Sequence, residues 1–62
     1  MWHVFIKLKD QVWTWDTDIE PDVRLDHESW MLLYLDSNEE TIFQGIFNPS
    51  TDMFYVIKQG DK

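Results

Sequence analysis

Between positions 10 and 28 the chain alternates, and its acids fall almost entirely on one parity. The even positions hold Asp10, Val12, Thr14, Asp16, Asp18, Glu20, Asp22, Arg24, Asp26 and Glu28, while Trp13, Trp15, Ile19, Val23 and Leu25 stand on odd positions between them. In an extended chain, successive side chains point to opposite faces. The pattern therefore predicts an apolar face backed by a row of up to seven carboxylates.

The same period of two continues on either side. Residues 2–8 place Trp2, Val4, Ile6 and Leu8 on one parity and His3, Phe5 and Lys7 on the other, which predicts a half-buried strand. Asp10-Gln11 suggests a tight hairpin into a second strand over 12–19, although the strongest turn pairs, Asn-Gly and Asp-Gly, are absent. Glu20-Pro21-Asp22 interrupts that run, because proline cannot donate to a ladder. Alternation resumes over 22–28 with Val23 and Leu25, where a short helix from about Asp22 competes with a strand.

Residues 30–35, from Trp30 to Leu35, are apolar on both parities and predict a central strand covered on both sides. A polar turn at 36–40 leads to a β-rich run over 41–47, in which Gly45 marks a bulge or a close backbone approach. Asn48-Pro49-Ser50-Thr51-Asp52 carries the clearest turn signal. Residues 53–58 form the last strand, and 59–62 are expected to fray.

The sum is an all-β chain, one domain over 1–62. It reads as a small antiparallel meander of about five strands, six if 22–28 is extended, curled into a partly open barrel or a twisted sheet. Trp2, Trp13, Trp15, Trp30, Phe43, Phe47, Phe54 and Tyr55 are expected to be mainly core, the default for a small β-domain. If Val4, Ile6, Leu32, Ile42, Ile46, Val56 and Ile57 fill the inner layer instead, some Trp is left near the surface. Phe5, on the outward parity of the first strand, is the best candidate for an exposed ring and a homodimer contact.

Composition sharpens this picture. A chain of 62 residues buries only about 60% of its unfolded surface and needs reinforcement. With no cysteine, disulfides and thiolate metal sites are excluded. The reinforcement is aromatic: four Trp, four Phe and two Tyr, each able to bury roughly 150–250 Å². The longest apolar run, 30–35, is six residues, far short of the roughly 18 needed to span a membrane. The N-terminus lacks the basic region and cleavage site of a signal peptide. The chain starts with Met and carries no visible tag, so it reads as a complete, small cytoplasmic product. The absence of cysteine agrees with that compartment.

Charge is the strongest functional signal. Twelve acids against five bases give a net charge of −7. Direct contact with nucleic acid or an anionic membrane is disfavoured, since both need clustered Lys and Arg. A basic protein surface is the natural partner. Same-face residues on a strand lie about 6.6–6.8 Å apart, against about 3.4 Å of axial rise between phosphates of one DNA strand. A carboxylate row can thus stand in loosely for a phosphate row. The plainer reading is a solvated face that keeps the protein soluble and blunts a sheet edge.

Other chemistry finds little support. Asp16-x-Asp18-x-Glu20 imitates the start of a calcium loop, but that loop needs Gly sixth and Glu twelfth, where this chain has Pro21 and His27. At most a weak cation site at Asp16, Asp18 or Asp22 is left. His3 and His27 stand alone, with no metal-binding spacing. Ser29, Ser37 and Ser50 have no nucleophile elbow around them, and Gly45 and Gly60 form no phosphate-cradling loop. No enzyme, cofactor or metal is expected.

The expectation is a non-catalytic acidic interaction module. Asp16, Asp18, Glu20, Asp22, Asp26 and Glu28 would engage Lys and Arg of a nucleic-acid-binding protein, with Trp13 and Trp15 as aromatic anchors beside them. Size and charge alone make it analogous to the small inhibitors that bacteriophages direct at host defence nucleases. The alternative is a structural or regulatory β-subunit that assembles with itself through hydrophobic rings.

Overall fold

The computed structural model describes residues 1–60. It consists of six strands: β1 (Trp2–Leu8), β2 (Gln11–Thr17), β3 (Asp22–Leu25), β4 (Met31–Leu35), β5 (Thr41–Ile46) and β6 (Met53–Lys58). They form two three-stranded antiparallel sheets, one ordered β2-β1-β6 and the other β3-β4-β5. The all-β antiparallel fold matches the alternation in the sequence. The sheets do not close into a barrel.

The region with two competing readings, 22–28, is extended over β3 and then turns over 27–29. No helix occurs among the described residues. Tertiary pairing explains the outcome: Val23 lies opposite Tyr34 and Leu25 opposite Leu32, so β3 buries its odd positions only as a strand. The second strand ends at Thr17 rather than at 19, and the chain bends through 18–21 into the other sheet. The return crossing runs through 47–52. Asn48 and Pro49 break extended structure there, and β6 then pairs with β1.

The core lies between the sheets. Val4 and Ile6 from β1, Leu32 and Tyr34 from β4, and Phe47 form its buried centre, with Trp13, Trp15, Phe43 and Phe54 among the half-buried groups packed on it. The aromatic core expectation holds for Phe47, which is buried, and for Trp13, Trp15, Trp30, Phe43 and Phe54, which pack on the core, but not for Tyr55, which is exposed. Of the aliphatic alternative, Val4, Ile6 and Leu32 are buried and Val56 partly so, while Ile42, Ile46 and Ile57 are exposed. The larger rings took the inner parity: Phe43 in β5 and Phe54 in β6 face inward, and period two turns their aliphatic neighbours out.

Gly45 resolves as a close approach. A Cβ there would stand 2.7 Å from Leu8 Cδ1, so the two sheets meet at this point. Trp30 does not belong to the central strand but precedes it with φ of 60°. Its N–H donates to Asp26 O at 2.7 Å, while its own carbonyl accepts from Phe47 N at 2.8 Å. At the chain end, Gln59 N–H donates to Met1 O at 2.9 Å, so Gln59 is tied down. Positions 61 and 62 of the expected frayed tail lie outside the described residues.

Candidate functional site: an acidic pole

The alternating acids do not share one pleated strand. Asp16 is the last acid on β2 and Asp22 opens β3 in the other sheet, with Asp18 and Glu20 in the bend between them. Asp26 and Glu28 follow β3 in the turn at the opposite end of the molecule. The break follows from Pro21 and the sheet change, which parity in the sequence does not reveal.

Three of the six have local partners. Asp16 Oδ1 lies 2.6 Å from His3 Nδ1 across the β1–β2 ladder. Arg24 donates to both Asp22 oxygens, at 3.0 and 2.8 Å. That bidentate pair holds the Asp22 carboxyl below its ordinary range and the guanidinium above its own, with Glu39 adding to the latter. Asp26 accepts from Glu28 N–H at 2.9 Å and closes its own turn, which likewise lowers its pKa.

Topology assembles a different group. Asp22 at the start of β3 lies opposite Leu35 at the end of β4, and Thr41 at the start of β5 is paired with that same Leu35. The 18–21 bend and the 36–40 turn thus emerge side by side from one end of the molecule. Asp18, Glu20 and Asp22 are joined there by Asp36, Glu39 and Glu40. Asp36 is spent partly on structure: its Oδ1 accepts from Asn38 and Glu40 N–H groups at 2.8 and 2.9 Å. The sequence reading missed these three as site residues, because a turn's polarity says nothing of what packs beside it.

A cleft of about 100 Å³ runs between the bend and the turn, lined by Ile19, Glu20, Pro21, Asp36, Ser37 and Ile42 among others. It is smaller than the roughly 300–1,000 Å³ of a typical small-molecule site. Ile19 and Ile42 beside it are 59% and 42% exposed. The pole therefore combines carboxylates with accessible aliphatic surface.

Trp13 and Trp15 do not form an exposed platform. They face inward and half-buried, Trp13 against Phe43 with ring centroids 4.8 Å apart, Trp15 edge-on to Tyr34 at 5.1 Å. Such pairs contribute about 0.5–1.5 kcal/mol each beyond area burial. Among the described residues, no group of three or more His, Asp or Glu side chains could hold a metal ion, so Asp16, Asp18 and Asp22 do not converge. No described helix is long and apolar enough to cross a membrane. Comparison with protein-family models, curated proteins and solved structures finds no significant match.

Proposed function

We propose that the protein is a non-catalytic interaction module whose acidic pole occupies a basic surface on a nucleic-acid-binding protein. The observation that carries this reading is that Asp18, Glu20, Asp22, Asp36, Glu39 and Glu40 all lie at one end of the molecule, beside exposed Ile19 and Ile42. Six carboxylates with one neighbouring guanidinium, already committed to Asp22, repel each other. A basic surface relieves that repulsion, and two desolvated isoleucines add attraction that salt does not screen. The mechanism is competitive occlusion, with no covalent step. Inhibition of a host defence nuclease is the most specific form of the proposal, and it rests on size and charge.

The test is capture from a lysate on the immobilised protein at low salt, followed by elution with a DNA duplex. A variant carrying Asp18→Lys, Glu20→Lys and Glu40→Lys serves as control. Support requires a protein that binds the parent, fails to bind the variant and is displaced by the duplex. Identical capture by both proteins, or no displacement by the duplex, overturns the reading.

A further inference from the structure

We propose that the outer face of the β2-β1-β6 sheet is a self-association surface, on which two copies of this chain pack face to face. The face is apolar in a way a solvated sheet does not require. Phe5 and Tyr55 stack at its centre with ring centroids 4.8 Å apart and planes 12° from parallel. Around them Val12, Met53 and Ile57 are 53%, 50% and 47% exposed. All five point away from the core, since β1 buries Val4 and Ile6, and β6 turns Phe54 and Val56 inward. A contiguous patch of this kind marks a contact surface.

Charge selects the occupant. The chain carries a net charge of −7, so most approaches between two copies set acids against acids. On the strands of this face the only carboxylate is Asp16, already held by His3, and the face also carries Lys7. It is therefore a surface on which a second copy meets little repulsion. The register then suggests the symmetry. Lys7 lies one row beyond Phe5 and His3 one row before it, with Asp16 beside His3 on β2. A two-fold axis along the strands would set Lys7 against Lys7. An axis across the strands at the Phe5 row instead stacks the Phe5 and Tyr55 rings of the two copies and brings each Lys7 beside the partner's Asp16. Such a contact is isologous and closes at two copies. Three strands about 4.8 Å apart make a small plate. The dimer belongs to the weak class, below about 1,200 Å² of total buried area.

The experiment is sedimentation equilibrium of the full chain at moderate salt, with folding of every variant checked by circular dichroism. The parent should show a monomer–dimer equilibrium with Kd between about 1 µM and about 1 mM. Tyr55→Lys and Ile57→Lys should each weaken it at least about tenfold, while Ile46→Lys on the other sheet leaves it unchanged. Lys7→Glu, which sets a carboxylate beside the partner's Asp16, should weaken it at least about fivefold, and Lys7→Glu with Asp16→Lys should restore it. Within one copy these two residues stand at opposite ends of the face, so rescue can only act between copies. A parent that stays monomeric to about 1 mM, or a dimer sensitive to Ile46→Lys but not to Tyr55→Lys, overturns the proposal. Failure of the double variant to recover overturns the two-fold arrangement.

Discussion

Asp52 ties two turns together. It is buried, and its Oδ1 accepts from Lys9 N–H at 2.8 Å while Oδ2 accepts from Asn48 N–H at 2.9 Å. Thr51 Oγ1 donates a further bond at 3.1 Å. These backbone bonds, Lys9 first and Asn48 next, hold its carboxyl below the usual value of 3.8. The depressed folded-state pKa means that Asp52 contributes its full stability above the ordinary carboxylate value and loses it as pH falls through the lowered one. Asp22 and Asp26 titrate in the same direction. Melting temperature should therefore fall steeply below about pH 4. Asp52→Asn should melt lower than the parent at pH 7 and show a shallower fall under acid, and equal acid slopes would remove Asp52 from this role.

Glu39 makes an opposite prediction at the same scale. It has φ of 62°, and its N–H donates to Asp36 O at 2.9 Å, in a short hairpin turn where glycine is the favoured residue. A left-handed L-residue costs roughly 1–2 kcal/mol, against about 0.5–1 kcal/mol of extra unfolded-state entropy for glycine. Glu39→Gly should stabilise the protein by about 0.5–1 kcal/mol in urea titration. A loss of stability would mean that Glu39 interacts with Arg24 more strongly than an exposed pair should.

At the scale of elements, Gly45 fixes how closely β5 approaches β1. The nearest atom to an added Cβ is the end of the Leu8 side chain, at 2.7 Å, rather than backbone. Gly45→Ala can be accommodated if Leu8 shifts, whereas the branched Gly45→Val cannot enter without displacing it. The valine variant should lose about 1–3 kcal/mol, the usual range for overpacking. Adding Leu8→Ala should recover part of that loss, and strict additivity in the double variant would show that the two residues do not meet.

The strands were legible in the sequence because period two survives wherever one face is buried. Residues 2–8 and 53–58 correspond to β1 and β6 as expected. Gly45 likewise announced itself, since a glycine inside a β-rich run has few other uses. What parity could not reveal was partnership. The acids at 16, 18, 20 and 22 keep one parity across Pro21, yet the chain changes sheets there, so a continuous row in sequence becomes a bend in space. The same limit hid Asp36, Glu39 and Glu40, whose place beside the bend depends on β3 pairing with β4. Between the two candidate inner layers the aromatic one prevailed in β5, where Phe43 turns inward and Ile42 and Ile46 outward, because a ring gains more from burial.

For the whole molecule, the net charge of −7 sets stability and binding against each other. Carboxylates crowded at one end raise the energy of the compact state, and expansion on unfolding relieves it. Added salt should therefore raise the melting temperature by screening charges within a Debye length of about 8–10 Å. Glu20→Lys and Glu40→Lys should each raise it by roughly 2–4 °C at low salt, with the gain shrinking at high salt. Both readings of the acidic surface share that result, so stability alone does not separate them. Binding does. If the carboxylates are retained for a basic partner, the variants that melt higher should lose it, with affinity in the parent falling steeply as ionic strength rises. If they only keep the surface wet, the same variants should gain stability and keep every association, including the ring-driven contact between copies. Thermal melts paired with binding isotherms on one set of variants measure both. A reversal variant that gains stability yet binds a captured partner as tightly as the parent excludes the acidic pole as the binding surface.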